Sequence, residues 1–325
     1  MRVEIKVLNQ VAMAVDGCPV ALGDHKQRIL LGILALEGRV VESKKLVRLL
    51  WDEDPRPKNP GAQLQGYASR LRHAMDAAVP GSGDRLLKTV RLLGYRLEAG
   101  DDDVDYRRFK SLAAKAAAAA ARRDPREAAR LGRLALAEWG EPAGTRGGYP
   151  LGTTDPLLER YIEDGRQSYR NALMNWLQAE LACGRHRALL PELPRLTEYD
   201  DDSRADEELA RLRMLALFRA DRTPQALSAY TDLREALTDL GLEPGPQTEE
   251  LQKMILNQDP SLHLPEDSGA VPQEEPAEPD EDTAPRDRDG TGARGGPVFH
   301  NNITGERARV YEAENMTFHE RHDEE

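Results

Sequence analysis

Between Gln63 and His73 the chain gathers side chains that donate hydrogen bonds: Gln63, Gln65, Ser69, Arg70, Arg72 and His73. At about 100° per residue of a helical repeat, Ser69, Arg70 and His73 fall on one face with Gly66. Gln63 flanks that face on one side, and Gln65 and Arg72 flank it on the other. A single acid, Asp76, stands near its end. Such a surface suits a duplex groove. A guanidinium can pair bidentately with guanine in the major groove, and amide or hydroxyl groups read base edges or hold phosphates. Arg70 is the first choice for base reading. Ser69, Gln65 and Gln63 are second-tier readers or phosphate contacts, and Arg72, at the flank, suits a phosphate. Lys88 and Arg91 lie in a following hairpin, with Arg91 placed to reach a neighbouring minor groove. Any exposed helix face carries Arg and Gln, so these residues alone would also describe a solvated surface.

The elements around them decide between the two readings. Leu64, Tyr67, Ala68, Leu71 and Met75 recur at three- and four-residue spacing, which makes Gly61–Asp76 a helix with one apolar stripe. Upstream, Val3, Ile5 and Val7 alternate, as do Val11, Met13 and Val15, and Asp16-Gly17 is a hairpin turn before Val20 and Leu22. From Lys26 the period becomes helical, with Ile29, Leu30, Ile33, Leu34 and Leu36 mostly on one side and Gly38 as the stop. Ser43 is a candidate N-cap for a second helix ending in Trp51. Residues 52–60, rich in proline and charge, form a loop. After the third helix, Leu86–Val90 and Gly94–Leu97 read as two short strands. Sheet, three helices and a terminal hairpin is the order of a winged helix-turn-helix.

Charge agrees with that placement. The 325-residue chain carries a net charge of -12, yet residues 1–98 hold 16 Lys+Arg against 11 Asp+Glu. Residues 99–260 hold 23 against 29, and residues 261–325 hold 6 against 17. A polyanion partner is therefore admissible at the N-terminal end. No apolar run of the length that spans a membrane is present, and the start of the chain lacks the apolar core of a secretory signal, so a cytoplasmic, nucleoid-associated protein without membrane contact is expected. Two well-separated cysteines, Cys18 and Cys183, argue against a disulfide framework.

Residues 26–28 (KQR), 64–75 (LQGYASRLRHAM) and 94–97 (GYRL) resemble the winged-helix domain of the actinobacterial antibiotic regulatory proteins, the SARP family. Downstream, DYRRF (105–109), ALAEW (135–139), Gly184-Arg185 and ALSAYTDLREALTDLGLEPGP (226–246) resemble the bacterial transcriptional activation domain of that family. The resemblance covers roughly residues 1–260. It implies an OmpR-type DNA-binding module, the effector type used in two-component systems, although no receiver domain is present and phosphorelay control is not expected. It implies an indole-to-phosphate hydrogen bond from Trp51, which could equally be a core residue. It also implies a homodimer arranged head-to-tail on direct repeats, with RNA polymerase contacted through the 52–60 loop or the helical domain. Relatives commonly start the reading helix with Asn where this chain has Ala62, and often carry proline in the turn that is Arg91-Leu-Leu-Gly94 here.

The expected architecture is thus an α+β winged helix-turn-helix over residues 1–98, then an all-α tetratricopeptide-like domain over 99–260. About seven helices are expected there: 112–121, 126–139, 157–183, 186–199, 206–220, 223–240 and 247–257, with a glycine-rich stretch at 140–155 packed irregularly between them. Residues 261–297 read as a disordered acidic linker. Residues 298–325 regain an alternating pattern and form a short tail motif, β-forming by pattern and open to a partner of its own.

Patterns that suggest chemistry lack the setting chemistry needs. Gly290-Thr-Gly292-Ala-Arg-Gly295 matches a dinucleotide fingerprint but has no strand before it and no helix after. His319 and His322 are three apart, not the four of a zinc-protease helix. No cofactor or metal is implied, and no enzyme activity. The expected function is a sequence-specific transcriptional activator that recruits RNA polymerase at promoters of a secondary-metabolism or related gene cluster. The rival is a signalling adaptor working through its helical repeats and tail, with little DNA binding.

Overall fold

The computed structural model describes residues 1–51, 57–140, 151, 153, 155–193 and 204–264. Most of the 52–60 loop and of the 140–155 stretch, the end of the 186–199 helix, residues 265–297, the 298–325 tail and the Gly290 and His319 patterns lie outside them.

The chain opens with an antiparallel meander, β1 (Val3–Lys6), β2 (Ala12–Val15) and β3 (Cys18–Pro19). Val3 faces Val15 and Ile5 faces Met13 across the first pair, so one side of the sheet is apolar and buried. Asp16 and Gly17 both adopt positive φ at the turn, the conformation that matches the twist of a two-residue hairpin. Helix α1 (His25–Glu37) starts at Asp24, whose side chain accepts from the Gln27 N–H at 2.9 Å. Ile29 through Ala35 are buried without interruption, so α1 is enclosed on all sides rather than along one stripe.

A two-residue strand, β4 (Val41–Glu42), precedes α2 (Ser43–Trp51), and α3 runs over Pro60–Ala78. Asn59 caps α3 by accepting from the Ala62 N–H at 3.0 Å, and Pro60 occupies the first turn, where a missing N–H costs nothing. A one-turn helix, α4 (Gly83–Leu86), leads into β5 (Leu87–Val90) and β6 (Gly94–Leu97), and β6 lies between β5 and β4. The sequence pattern holds no trace of β4 or α4; both are too short to show a period.

In the turn between β5 and β6, Leu92 has φ 65 and is 97% exposed, while the Leu93 N–H donates to the Val90 carbonyl at 3.0 Å. A left-handed leucine costs roughly 1–2 kcal/mol, more than the roughly 0.4–1 kcal/mol of chain entropy that glycine forfeits. Leu92→Gly is therefore expected to stabilise the protein by about 0.5 kcal/mol, read from urea denaturation; a loss of stability would refute the strain.

The helical region comprises α5 (Asp105–Ala121), α6 (Pro125–Ala137), α7 (Glu159–Ala182), α8 (His186–Leu189), α9 (Glu207–Arg219), α10 (Thr223–Asp239) and α11 (Pro246–Leu256). Helix α5 begins seven residues before the alanine run that the sequence singles out. Its Ala116 and Ala119 pack on Ala128 and Ala129 of α6, and Ala179 of α7 completes this small-residue core. Glu180 is buried and accepts from Arg133 at 2.8 Å, from the Trp176 indole at 3.0 Å and from Arg185. Burial alone would raise its pKa; the hydrogen bonds from Arg185 and Arg133 hold it below the usual carboxylate range. Gly184-Arg185 thus serves to close this ion cluster. The packed chain runs past residue 260: Pro260–Leu262 forms a single turn and Leu262 is buried with Phe218 and Ile255.

Strand β1 is shared. Ile5 makes a parallel bridge to Val104, and the Asp105 carboxylate accepts from the N–H of Val7 at 2.9 Å and of Leu8 at 3.2 Å as well as from the N–H of Tyr106. Arg107 donates to the Ala35 carbonyl at 2.8 Å, answering one of the carbonyls left open at the end of α1.

Candidate nucleic-acid interface

Helix α3 buries Leu64, Tyr67, Ala68, Leu71 and Met75, the stripe that the residue spacing picks out. Its other side leaves Gln63, Gln65, Ser69, Arg70 and His73 exposed. The Arg70 guanidinium carbon lies 4.8 Å from the centre of the Tyr67 ring. A guanidinium over an aromatic face is attracted to it and keeps its N–H groups available. Arg70 has no hydrogen bond or ion pair to any described residue. His73 sits one turn on, with Nδ1 2.7 Å from the Ser69 carbonyl oxygen. A carbonyl only accepts, so Nδ1 carries the hydrogen in this contact and Nε2 is left without a described partner.

Arg72 is used differently. Its Nε donates to the Leu87 carbonyl at 2.9 Å, its second guanidinium nitrogen donates to Thr89 Oγ1 at 2.7 Å, and Asp84 lies 3.3 Å away. The side chain is 20% exposed, and it braces β5 against α3. Nearby, Asp76 accepts from the Gly83 N–H at 2.8 Å, so the one acid of this face ties α4 to the end of α3. These contacts fix the hairpin relative to the helix. They are tertiary, and nothing in the spacing of Arg72 announces them.

Trp51 is 5% exposed and stacks on Tyr67, with ring centres 5.6 Å apart and planes 11° apart. The ring thus joins α2 to α3, and no hydrogen bond to a described residue occupies its indole N–H. Lys26, from the KQR string at 26–28, has its Nζ 5.7 Å from the Trp51 ring centre and donates to the Leu50 carbonyl at the end of α2. On the hairpin, Lys88 is exposed and donates to the Asp84 carbonyl at 2.6 Å, while Arg91 is exposed beside Leu92 at the tip. The structure therefore brings Gln63, Gln65, Ser69, Arg70 and His73 onto one surface. Lys88 and Arg91 stand on the adjoining hairpin, Arg72 is bonded to β5, and Trp51 is packed on Tyr67.

Known proteins with this arrangement are transcriptional regulators. Residues 17–97 match the family "Transcriptional regulatory protein, C terminal", and residues 104–256 match the "Bacterial transcriptional activator domain". The chain is 31% identical over 266 residues to the regulatory protein DnrI of Streptomyces peucetius, covering 80% of this chain and 94% of that protein. It is 35% identical over 261 residues to the regulatory protein AfsR of Streptomyces coelicolor, covering 79% of this chain and 24% of AfsR. The transcriptional regulatory protein EmbR of Mycobacterium tuberculosis is 33% identical over 265 residues, 80% of this chain and 64% of EmbR. The chain thus spans less than two thirds of EmbR. A solved structure of EmbR in complex with a low affinity phosphopeptide superposes with a TM-score of 0.68 at 30% identity, over 82% of this chain and 67% of that one. Among the described residues, no helix is long and apolar enough to cross a membrane. With both domain families present in this order, and DnrI matched along nearly its whole length, the chain belongs to the SARP family of transcriptional regulators.

Proposed function

We propose that the chain activates transcription by binding a specific promoter sequence through α3 and its hairpin, and by recruiting RNA polymerase there. The observation that carries this reading is Arg70: exposed, stacked on Tyr67 and without another partner among the described residues. A fork resting on an aromatic face has less freedom to lose on pairing with guanine, so more of its hydrogen bonding acts as affinity. Gln63, Gln65 and Ser69 supply further donors on the same face, and Lys88 and Arg91 extend the cationic surface along the hairpin. In this reading Arg72 acts indirectly, by holding the hairpin at a fixed angle to the helix. Two copies bind head-to-tail on direct repeats, and the helical domain makes the protein contacts. The genes served are those of a secondary-metabolism or related cluster. Activation requires no chemistry: extra favourable contacts raise the occupancy of the promoter by polymerase.

The test is binding of the full chain to a footprinted promoter fragment and to random DNA over a range of salt. Wild-type affinity should fall steeply with salt and favour the promoter by a large ratio. Arg70→Ala should cost about 1–3 kcal/mol on the promoter and relax the requirement at one base position. An unchanged site preference in Arg70→Ala would remove that residue from the reading surface. An absence of any sequence preference in the wild type would favour the adaptor.

A further inference from the structure

On the side of α2 opposite its buried Leu46, Leu50 and Trp51, a cleft of about 600 Å3 opens toward the start of α7. Four cations face it, Arg39, Lys45, Arg48 and Arg160, against two acids, Glu37 and Asp164. The acids are already engaged. Glu37 accepts from the Tyr161 hydroxyl at 2.7 Å, from Arg39 at 3.0 Å and from Lys45. Burial alone would raise its pKa, but hydrogen bonds from Lys45, Tyr161 and Arg39 hold the carboxyl down to about 2. Glu37 is therefore a fixed anion that consumes Arg39 and Lys45. Asp164 accepts from the Tyr106 hydroxyl and lies 3.7 Å from Lys110.

Two guanidinium groups remain. Arg48, from α2, and Arg160, from the first turn of α7, are exposed and have no hydrogen bond or ion pair to any described residue. Each comes from a different wall of the cleft, and Leu49 and Leu157 supply apolar surface beside them. Like charges set around one concavity repel each other unless an anion lies between them. Guanidinium forks match the oxygens of a phosphate, and the volume lies in the range of small-molecule sites, roughly 300–1,000 Å3.

We propose that this cleft binds a small phosphorylated ligand, with Arg48 and Arg160 holding the phosphate and Leu49 and Leu157 lying against its apolar body. The two walls belong to different parts of the protein, so a bound phosphate ties α7 to α2. Helix α2 is joined to α3 through the Trp51–Tyr67 stack. A ligand here therefore acts on the reading helix without touching DNA. Duplex phosphates are the competing source of the same chemistry, but they require an open ridge rather than a concave site of this size.

The experiment is calorimetric titration of the full chain, without DNA, with AMP, inorganic pyrophosphate and adenosine at about 0.15 M salt. AMP and pyrophosphate should bind, and adenosine, which lacks the phosphate, should not. The double variant Arg48→Gln, Arg160→Gln should weaken both phosphate probes at least tenfold, about 1.4 kcal/mol. Its melting temperature should not fall, because both side chains are exposed and unpaired among the described residues. No binding of AMP or pyrophosphate up to about 10 mM, or equal binding by the double variant, would overturn the proposal. So would a double variant that loses promoter affinity and salt slope in probe-free solution, because the two arginines would then be duplex contacts. Arg70→Ala serves as the separate control: it should weaken promoter binding and leave AMP binding as it is.

Discussion

Gly94→Ala should destabilise the N-terminal module by about 3 kcal/mol or more and abolish promoter binding with it. A Cβ at position 94 would stand 1.9 Å from the Val41 carbonyl oxygen and 2.9 Å from the Ser43 nitrogen. Both are backbone atoms, held by the β4–β6 pairing and by the Ser43 N–H donating to the Leu93 carbonyl at 3.0 Å. No rotamer change relieves such a clash; the strands must part. Parting them releases β6 from β4 and loosens the hairpin that Arg72 braces against α3. Gly66→Ala provides the comparison. A Cβ there meets nothing within 4 Å, and the position is inside a helix, so a gain of about 0.5–1 kcal/mol is expected. Chemical denaturation of the two variants should give shifts of opposite sign. Equal melting of Gly94→Ala and wild type would mean that β4 does not press on β6 as described.

Asp105→Ala is expected to cost a similar amount for a different reason. Its carboxylate answers three backbone N–H groups, those of Val7, Leu8 and Tyr106, in a place where water does not reach. Each orphaned N–H is worth roughly 1–3 kcal/mol, and the neighbouring backbone recovers only part of it, so a total loss of about 3 kcal/mol or more follows. The acid also carries a pH signature. Burial pushes its pKa up to about 6, against the opposing pull of those amides and of Arg108. The folded state therefore holds this proton more tightly than the unfolded chain does. The stability from this group is fully present below about pH 4 and declines as the pH rises through about 6. Asp105→Asn removes the titration and keeps one acceptor. The stability of wild type relative to Asp105→Asn should rise as the pH is lowered from about 7 to about 4. A difference that is flat over that range would show that the carboxyl titrates as in the unfolded chain.

Where a repeating pattern existed, the sequence disclosed both the element and its orientation. The five buried residues of α3 are those its 3.6-residue period selects, and this is why Arg70 and its neighbours could be placed on the open side. The first hairpin was legible for the same reason, from alternation and one Asp-Gly turn. Four kinds of feature were not. Strand β4 has two residues and exists only because β6 pairs with it from more than fifty positions away. Helix α1 shows a one-sided pattern yet is enclosed, because the second side is covered by residues far along the chain, Leu151 against Gly32 among them. The packing of Arg72 and Trp51 was not legible either, because a long or aromatic side chain goes where its nearest tertiary partners are, and here those are Leu87, Thr89 and Tyr67. Asp105 opens a motif visible in the sequence, but its partners lie nearly a hundred residues earlier. Of the candidate surface, then, helical periodicity disclosed the exposed donors of α3, and the long-range contacts of Arg72 and Trp51 stayed hidden.

The bond between Asp105 and strand β1 also sets a timetable. At roughly 5–20 residues per second, about 5–20 s separate the synthesis of Val7 from that of Asp105. Throughout that interval β1 waits with two amides unanswered and a strand edge open to any neighbouring polypeptide. The sheet beside the candidate interface thus waits for partners from the following domain, so a chaperone that shields β1 during synthesis should raise the yield of protein more than one that acts on the finished chain.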